Sequence, residues 1–178
     1  ELSELEELIL PFKKLCVLKP SAVLMSHVRT LAVDDGKSAC FSEYWISQRL
    51  RREFCFAGVI FSDDIFMAAL SENGYPPEKA AVTAVDAGVD CIMISEKRFA
   101  LPASSLIKKM QDDNSFAQKV NDSVKRILQL KIKLGLHEFQ TDGNNTVLVI
   151  ARKKPESIEE RIARFNSVRN ENIDFVRK

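Results

Sequence analysis

Histidine and cysteine are both scarce in this chain. It holds two histidines and four cysteines in 178 residues. Cys16, Cys40, Cys55 and Cys91 share no C-x-x-C spacing, and with so little imidazole no ligand set for a structural zinc is visible. The same wide spacing gives no disulfide framework. Cys55 and Cys91 sit among apolar neighbours and read as buried thiols. An excess of one charge is missing too. Lys+Arg number 26 and Asp+Glu 25, so nothing calls for nucleic acid or an anionic membrane as partner. No apolar run approaches the roughly 20 residues needed to span a bilayer, and no secretory pattern opens the chain. Because residue 1 is Glu1 rather than Met, a segment upstream stays open. What is present is ordinary globular composition, 46% hydrophobic and 29% charged, on a chain long enough for one domain with a real core.

Three short apolar runs share one design: Val23-Leu24-Met25-Ser26-His27, Val59-Ile60-Phe61-Ser62-Asp63 and Ile92-Met93-Ile94-Ser95-Glu96. Each ends in Ser and an ionisable residue. Continuous rather than alternating apolarity predicts strands covered on both faces, as in parallel sheets. The serines lie 36 and 33 residues apart, about one βαβ unit. Functional groups of parallel α/β proteins gather at the carboxyl ends of strands, where the loops open on one face. That singles out Ser62, Asp63 and Asp64.

The segments between read as helices. Ser42 caps one with Ile46, Leu50 and Phe54 on a single face. Pro76 and Pro77 open another through Ala80, Ala81, Ala84 and Val85, which stops at Gly88. Pro102 begins a third with Leu106, Ile107 and Met110. Ser115 begins a fourth with Val120, Val124, Ile127 and Leu128, ended by Gly135. Upstream, Ser3 and Glu6 have capping-box spacing and Pro11 divides the region into two short helices. After Asp142-Gly143-Asn144-Asn145 comes an apolar patch, Thr146 to Ala151, of open type. Pro155 then introduces an amphipathic helix with Ile158, Ile162, Phe165 and Val168 on one face. Three parallel strands leave two open edges, and a closed (β/α)8 barrel takes about 250 residues. The fold class is α/β, a partial TIM (β/α)8 barrel of about three parallel strands with flanking helices and a helical C-terminal tail.

Gly58 to Met67, GVIFSDDIFM, resembles the nucleophile segment of family 3 glycoside hydrolases, especially the bacterial β-N-acetylhexosaminidase branch. Ala22 to Val28, AVLMSHV, is similar to the family's preceding strand, and Ala80 to Ser95, AAVTAVDAGVDCIMIS, to the helix and last strand of its barrel. Leu10-Pro11-Phe12 matches the family's early "EL-x-PF" region. The resemblance covers residues 1–136, leaving 137–178 as linker and C-terminal appendage. It implies that these are the last three barrel strands and that Asp63 is the catalytic nucleophile. It also implies that His27 and Met67 bind substrate, a glycoside containing N-acetylhexosamine, with no cofactor and no metal. The family's Lys-His motif and its acid/base loop precede the region matched here, and Lys13-Lys14 is no such motif. The resemblance therefore implies a fragment, completed by an upstream segment or a second chain. Two local departures stand out. Cys55-Phe56-Ala57-Gly58 replaces the usual "GFDG", and Asp64-Ile65-Phe66-Met67 replaces "DLSM", where Phe66 either narrows a sugar pocket or fills a gap.

A retaining glycosidase needs a carboxylate nucleophile and a second group that protonates the leaving oxygen and later activates water. Asp63 suits the first role; the plain alternative makes Asp63 and Asp64 loop carboxylates that cap a short helix starting near Ile65, and this cap is the reading taken for Asp64. His27 and Glu96 end the neighbouring strands, where a local hydrogen bond for His27 and a solvated run Glu96-Lys97-Arg98 are the simpler accounts. Met67 is as readily core as pocket, and Trp45, the only tryptophan, packs beside Ile46 rather than forming a sugar platform. The function implied is hydrolysis of terminal β-N-acetylhexosaminides with retention, in carbohydrate metabolism or cell-wall sugar turnover. The alternative is a non-catalytic half-barrel remnant or interaction module. A doubly wound domain with a phosphoacceptor Asp would need five strands and an early acidic pair, and neither is found.

Overall fold

The computed structural model describes residues 2–143, 145–151 and 157–176. It divides into two compact units, one reaching Leu130 and one beginning at Lys131.

The first unit is built on three parallel strands, β1 (Ala22–Met25), β2 (Val59–Asp64) and β3 (Cys91–Met93), in the order β1-β2-β3. Val23 pairs with Ile60, Leu24 with Phe61 and Met25 with Ser62. On the other side Phe61 faces Cys91 and Asp64 faces Met93. The stretch Phe61 to Asp64 thus opposes a shorter stretch of β3, an irregularity of the bulge kind that re-aims side chains near a strand end. Central β2 is sealed: Val59 is 2% and Ile60 0% exposed. The expectation of cover on both faces fails for β1, where Leu24 is 50% exposed. Among the described residues β1 has a strand neighbour on one side only, and every second residue of a strand turns to the face away from the helices.

Helices pack on the Ile60 side. Ile60 and Ile65 share one core with Ile46, Leu50, Ala80, Ala81 and Ala84. α3 (Pro77–Ala87) follows the expected punctuation, with Pro77 at its start and Gly88 left-handed at φ 115 after its end. α4 (Ala100–Asp112) starts two residues before Pro102. α5 (Asn114–Lys133) is capped by Asp113 rather than by Ser115, because the Asp113 carboxylate accepts the N–H groups of Ser115 and Phe116 at 2.9 and 3.1 Å.

Two expectations about helices change. α1 (Leu2–Val17) runs unbroken through Pro11. Proline removes one hydrogen bond and crowds the carbonyl one turn back, but Pro11 and Glu7 are both exposed, so water can serve that carbonyl. The segment from Tyr44 to Glu53 is a π-helix, with Phe54 N–H reaching Arg49 O at 2.9 Å. Its wide turn brings four residues to the inner side. Ile46 and Leu50 are buried, Ser47 Oγ donates to Ala87 O at 3.1 Å, and Arg51 reaches Asp90. Ser42 does serve its start, accepting Trp45 N–H at 3.1 Å. Cys55 is exposed and Cys91 half-buried. Neither is the sealed thiol its neighbours suggested, since Cys55 occupies a turn with φ 53 and Cys91 lies on the strand face that Leu24 shares.

In the second unit β4 (His137–Asp142) pairs antiparallel with β5 (Asn145–Ile150). Gly143 takes φ 56 in the connection, as hairpin turns require. The patch of open type is therefore a strand, and its partner β4 was not anticipated. α6 (Ile158–Val176) exposes Ile158, Ile162 and Phe165. Pro155 lies outside the described residues, as does the side chain of Val168.

Candidate active site

The site is assembled at the carboxyl ends of the strands. Side chains alternate along β2. Ser62 is 0% exposed, and its hydroxyl accepts Met93 N–H at 2.9 Å, stitching β2 to β3. Its neighbour Asp63 is half-buried. One Asp63 oxygen, Oδ1, accepts Asp64 N–H at 2.8 Å.

Asp64 has a structural task, but not as the cap of a helix near Ile65: the short helix that follows begins at Ala68, and no side chain caps it. Its Oδ1 accepts Phe66 N–H at 3.1 Å and Ser95 N–H at 3.2 Å, tying the turn after β2 to the segment after β3. Partial burial alone would raise its carboxyl. Hydrogen bonds from Ser95 and the Phe66 and Ser95 amides, with His27 nearby, outweigh that and hold it below the usual carboxylate value.

His27 stands at the end of β1, and both ring nitrogens are engaged. Nε2 lies 3.0 Å from Asp64 O. Nδ1 lies 3.0 Å from Cys40 Sγ and 3.3 Å from Ser38 Oγ. Asp63 is close enough to act electrostatically on Cys40: burial pushes that thiol up to about 11, the Ser38 hydrogen bond opposes the shift and the Asp63 carboxylate adds to it. Sequence reading missed Cys40 and Ser38. They belong to the loop after β1, where no periodicity marks a residue as inward.

The remaining candidates separate. Met67 is 43% exposed, next after Phe66 and just ahead of α2 (Ala68–Glu72). Phe66 packs against the core with the Arg98 guanidinium 4.7 Å above its ring, which favours the gap-filling reading. Glu96 pairs with Arg98 on the surface. Trp45 donates from Nε1 to Thr30 Oγ1 at 2.8 Å. Among the described residues no group of three or more His, Cys, Asp and Glu side chains is gathered to hold a metal ion, and no helix is long and apolar enough to cross a membrane.

At the opposite end of the sheet lies an ion cluster that sequence reading also missed. Asp90, its side chain 0% exposed, accepts from Arg51 Nη2 at 2.5 Å and Arg126 Nε at 3.0 Å. It also accepts Ile60 N–H at 2.8 Å. Arg51 donates in addition to Phe56 O and Gly58 O at 3.0 and 2.6 Å. Burial lowers the Arg51 guanidinium from its usual value, with Asp90 opposing. Features at the amino-terminal end of barrel strands serve stability, while those at the carboxyl end serve chemistry.

Three parallel strands, flanking helices and a carboxylate at the carboxyl rim define part of a barrel-like domain of the (β/α)8 class. Residues 2–130 match the model of the glycosyl hydrolase family 3 N terminal domain, and the chain belongs to that family. It is 37% identical over 95 residues to a beta-hexosaminidase of Alkalilimnicola ehrlichii, a match covering 53% of this chain and 27% of that protein. It is also 37% identical over 113 residues to a beta-hexosaminidase of Neisseria meningitidis, covering 63% and 29%. Among solved structures it resembles the beta-N-acetylhexosaminidase of Beutenbergia cavernae, with TM-score 0.61, 28% identity and coverage of 67% and 36%. A family 3 beta-N-acetylglucosaminidase from a Paenibacillus strain gives TM-score 0.62 at 27% identity, covering 84% and 28%. The matched part is 27% and 29% of the curated relatives' length.

Proposed function

We propose that this chain supplies the nucleophile segment of a retaining glycosidase that acts on terminal β-N-acetylhexosaminides. One observation carries the reading: Asp63 stands half-buried at the carboxyl end of central strand β2, with the Asp64 amide holding its Oδ1. The names of the relatives support the choice of sugar. In this scheme the Asp63 carboxylate attacks the anomeric carbon as the leaving oxygen takes a proton from a second group. A glycosyl ester forms, and water later breaks it, the second group then accepting the proton. Met67 lines the sugar side and His27 borders the same rim. The second group comes from outside the segments described here. β1 and β3 are the outer strands of the sheet among the described residues, and edge strands favour pairing with further strands, from more of the same protein or from a second chain.

The test is hydrolysis of an aryl β-N-acetylglucosaminide with an activated leaving group, which needs little protonation to depart. Turnover should vanish in Asp63→Ala and return on adding azide, which takes the carboxylate's place at the anomeric carbon. Undiminished turnover in Asp63→Ala would refute the assignment. No turnover in either protein would favour the half-barrel remnant or interaction module.

A further inference from the structure

Cys40 is 0% exposed, and the hydrolytic scheme makes no use of it. Its setting is nonetheless specific. The loop after β1 folds back on its own start: Ala39 N–H donates to Val28 O at 2.8 Å and Cys40 N–H to Ser26 O at 3.2 Å. Arg29 and Ser38 form an isolated antiparallel bridge. The Ser38 and Cys40 side chains are thereby clamped against the end of β1, where His27 stands.

The tautomer of His27 follows from its neighbours. A carbonyl oxygen can only accept, so the ring nitrogen 3.0 Å from Asp64 O carries the hydrogen. Nδ1 of the neutral ring is then the acceptor, and the groups beside it, Cys40 Sγ and Ser38 Oγ, can each donate. Ser38 Oγ also lies 3.5 Å from Cys40 Sγ, so the three groups form one small network. The thiol keeps its proton at neutral pH and remains a donor. Backbone pairing of β1 with β2 ends at Met25 and Ser62. Beyond that point the His27 ring is the tie across the rim. It grips the residue whose own N–H holds Asp63 Oδ1.

We propose that Cys40 and Ser38 are positioning residues: they lock His27 in its Nε2–H tautomer, so that the ring ties the end of β1 to Asp64 and fixes the backbone that orients Asp63. On this account His27 acts through Asp64 rather than through a nitrogen aimed at the sugar. The consequence for catalysis rests on Asp63 being the nucleophile, but the lock itself is readable without turnover, so the two can fail separately.

The experiment uses the full chain labelled with 15N in histidine, aspartate and isoleucine. Imidazole spectra near neutral pH should show Nε2 protonated and Nδ1 bare in the wild type and in Cys40→Ser, which keeps a donor. In the double variant S38A/C40V Nδ1 loses both donors, so its 15N shift should move to that of a nitrogen without a hydrogen bond, and the Asp64 amide should exchange with solvent about tenfold faster. The Ile60 amide, held by Asp90 at the other end of β2, should not change. Should the double variant unfold, seen as Ile60 exchange rising in step, Cys40→Val alone carries the same test with about a threefold effect at Asp64. An Nδ1–H ring or an imidazolium in the wild type would overturn the proposal, as would unchanged Asp64 exchange in the folded variants.

Discussion

Replacing Asp90 by alanine removes the one carboxylate shared by Arg51, Arg126 and the Ile60 amide. Breaking a buried ion pair from one side typically costs about 3–5 kcal/mol, because a charge is left without compensation. Here the lower end applies. The Arg51 side chain is 18% and that of Arg126 30% exposed, and Arg51 keeps the carbonyls of Phe56 and Gly58 as acceptors. The Ile60 N–H is orphaned as well, a loss that lies in the 1–3 kcal/mol range when no water reaches it. A combined loss of about 3–4 kcal/mol is expected, since these terms share one site and do not simply add. Urea unfolding followed by circular dichroism would read it as a lower midpoint at unchanged slope. A thermal scan would show a drop of roughly 10 °C. Removing the guanidinium as well, in R51M/D90A, should recover part of the loss, because an unpaired buried charge is worse than no charge. A loss below about 1 kcal/mol in Asp90→Ala, within the range of exposed pairs, would refute the reasoning.

Three further outcomes follow from the geometry. Gly58→Ala would place a Cβ 2.6 Å from Ser21 O and 2.8 Å from Pro20 O; backbone cannot yield as a side chain does, so unfolding measurements should show a loss of about 1–3 kcal/mol or more. Asp64, whose pKa falls below its ordinary 3.8 on folding, contributes stability that is present above that value and lost as pH drops through the folded one. Acid titration of Asp64→Asn should therefore show a shallower decline below about pH 4 than the wild type, and superimposable acid limbs would contradict the hydrogen-bond account. Iodoacetamide at mildly alkaline pH should modify exposed Cys55 well before Cys40, whose thiol is buried and pushed up to about 11; early labelling of Cys40 in the folded protein would mean that its surroundings are open.

The sequence by itself determined the elements whose signals are local. Three apolar runs closed by Ser and an ionisable residue became three parallel strands, because β-branched and aromatic runs of that length suit a buried pleat wherever the chain passes. Pro77 and Gly88 bounded α3 through backbone rules that need no partner. The motif around Ser62-Asp63-Asp64 was legible for the same reason, since strand, turn and carboxylates are consecutive. Other features were decided only by tertiary structure. Asp90 meets Arg51 and Arg126 across separations of 39 and 36 residues, and no periodicity can announce such a meeting. The wide winding of the π-helix brings Ser47 and Arg51 inward beside Ile46 and Leu50, although the apolar spacing alone fits an ordinary helix. The exposure of Cys55 depends on a turn with φ 53, not on its apolar neighbours. Cys40 and Ser38 reach His27 because a loop folds back on the end of β1. Contacts made through space depend on where every other element comes to rest, and that is settled by packing the whole sheet and its helices together.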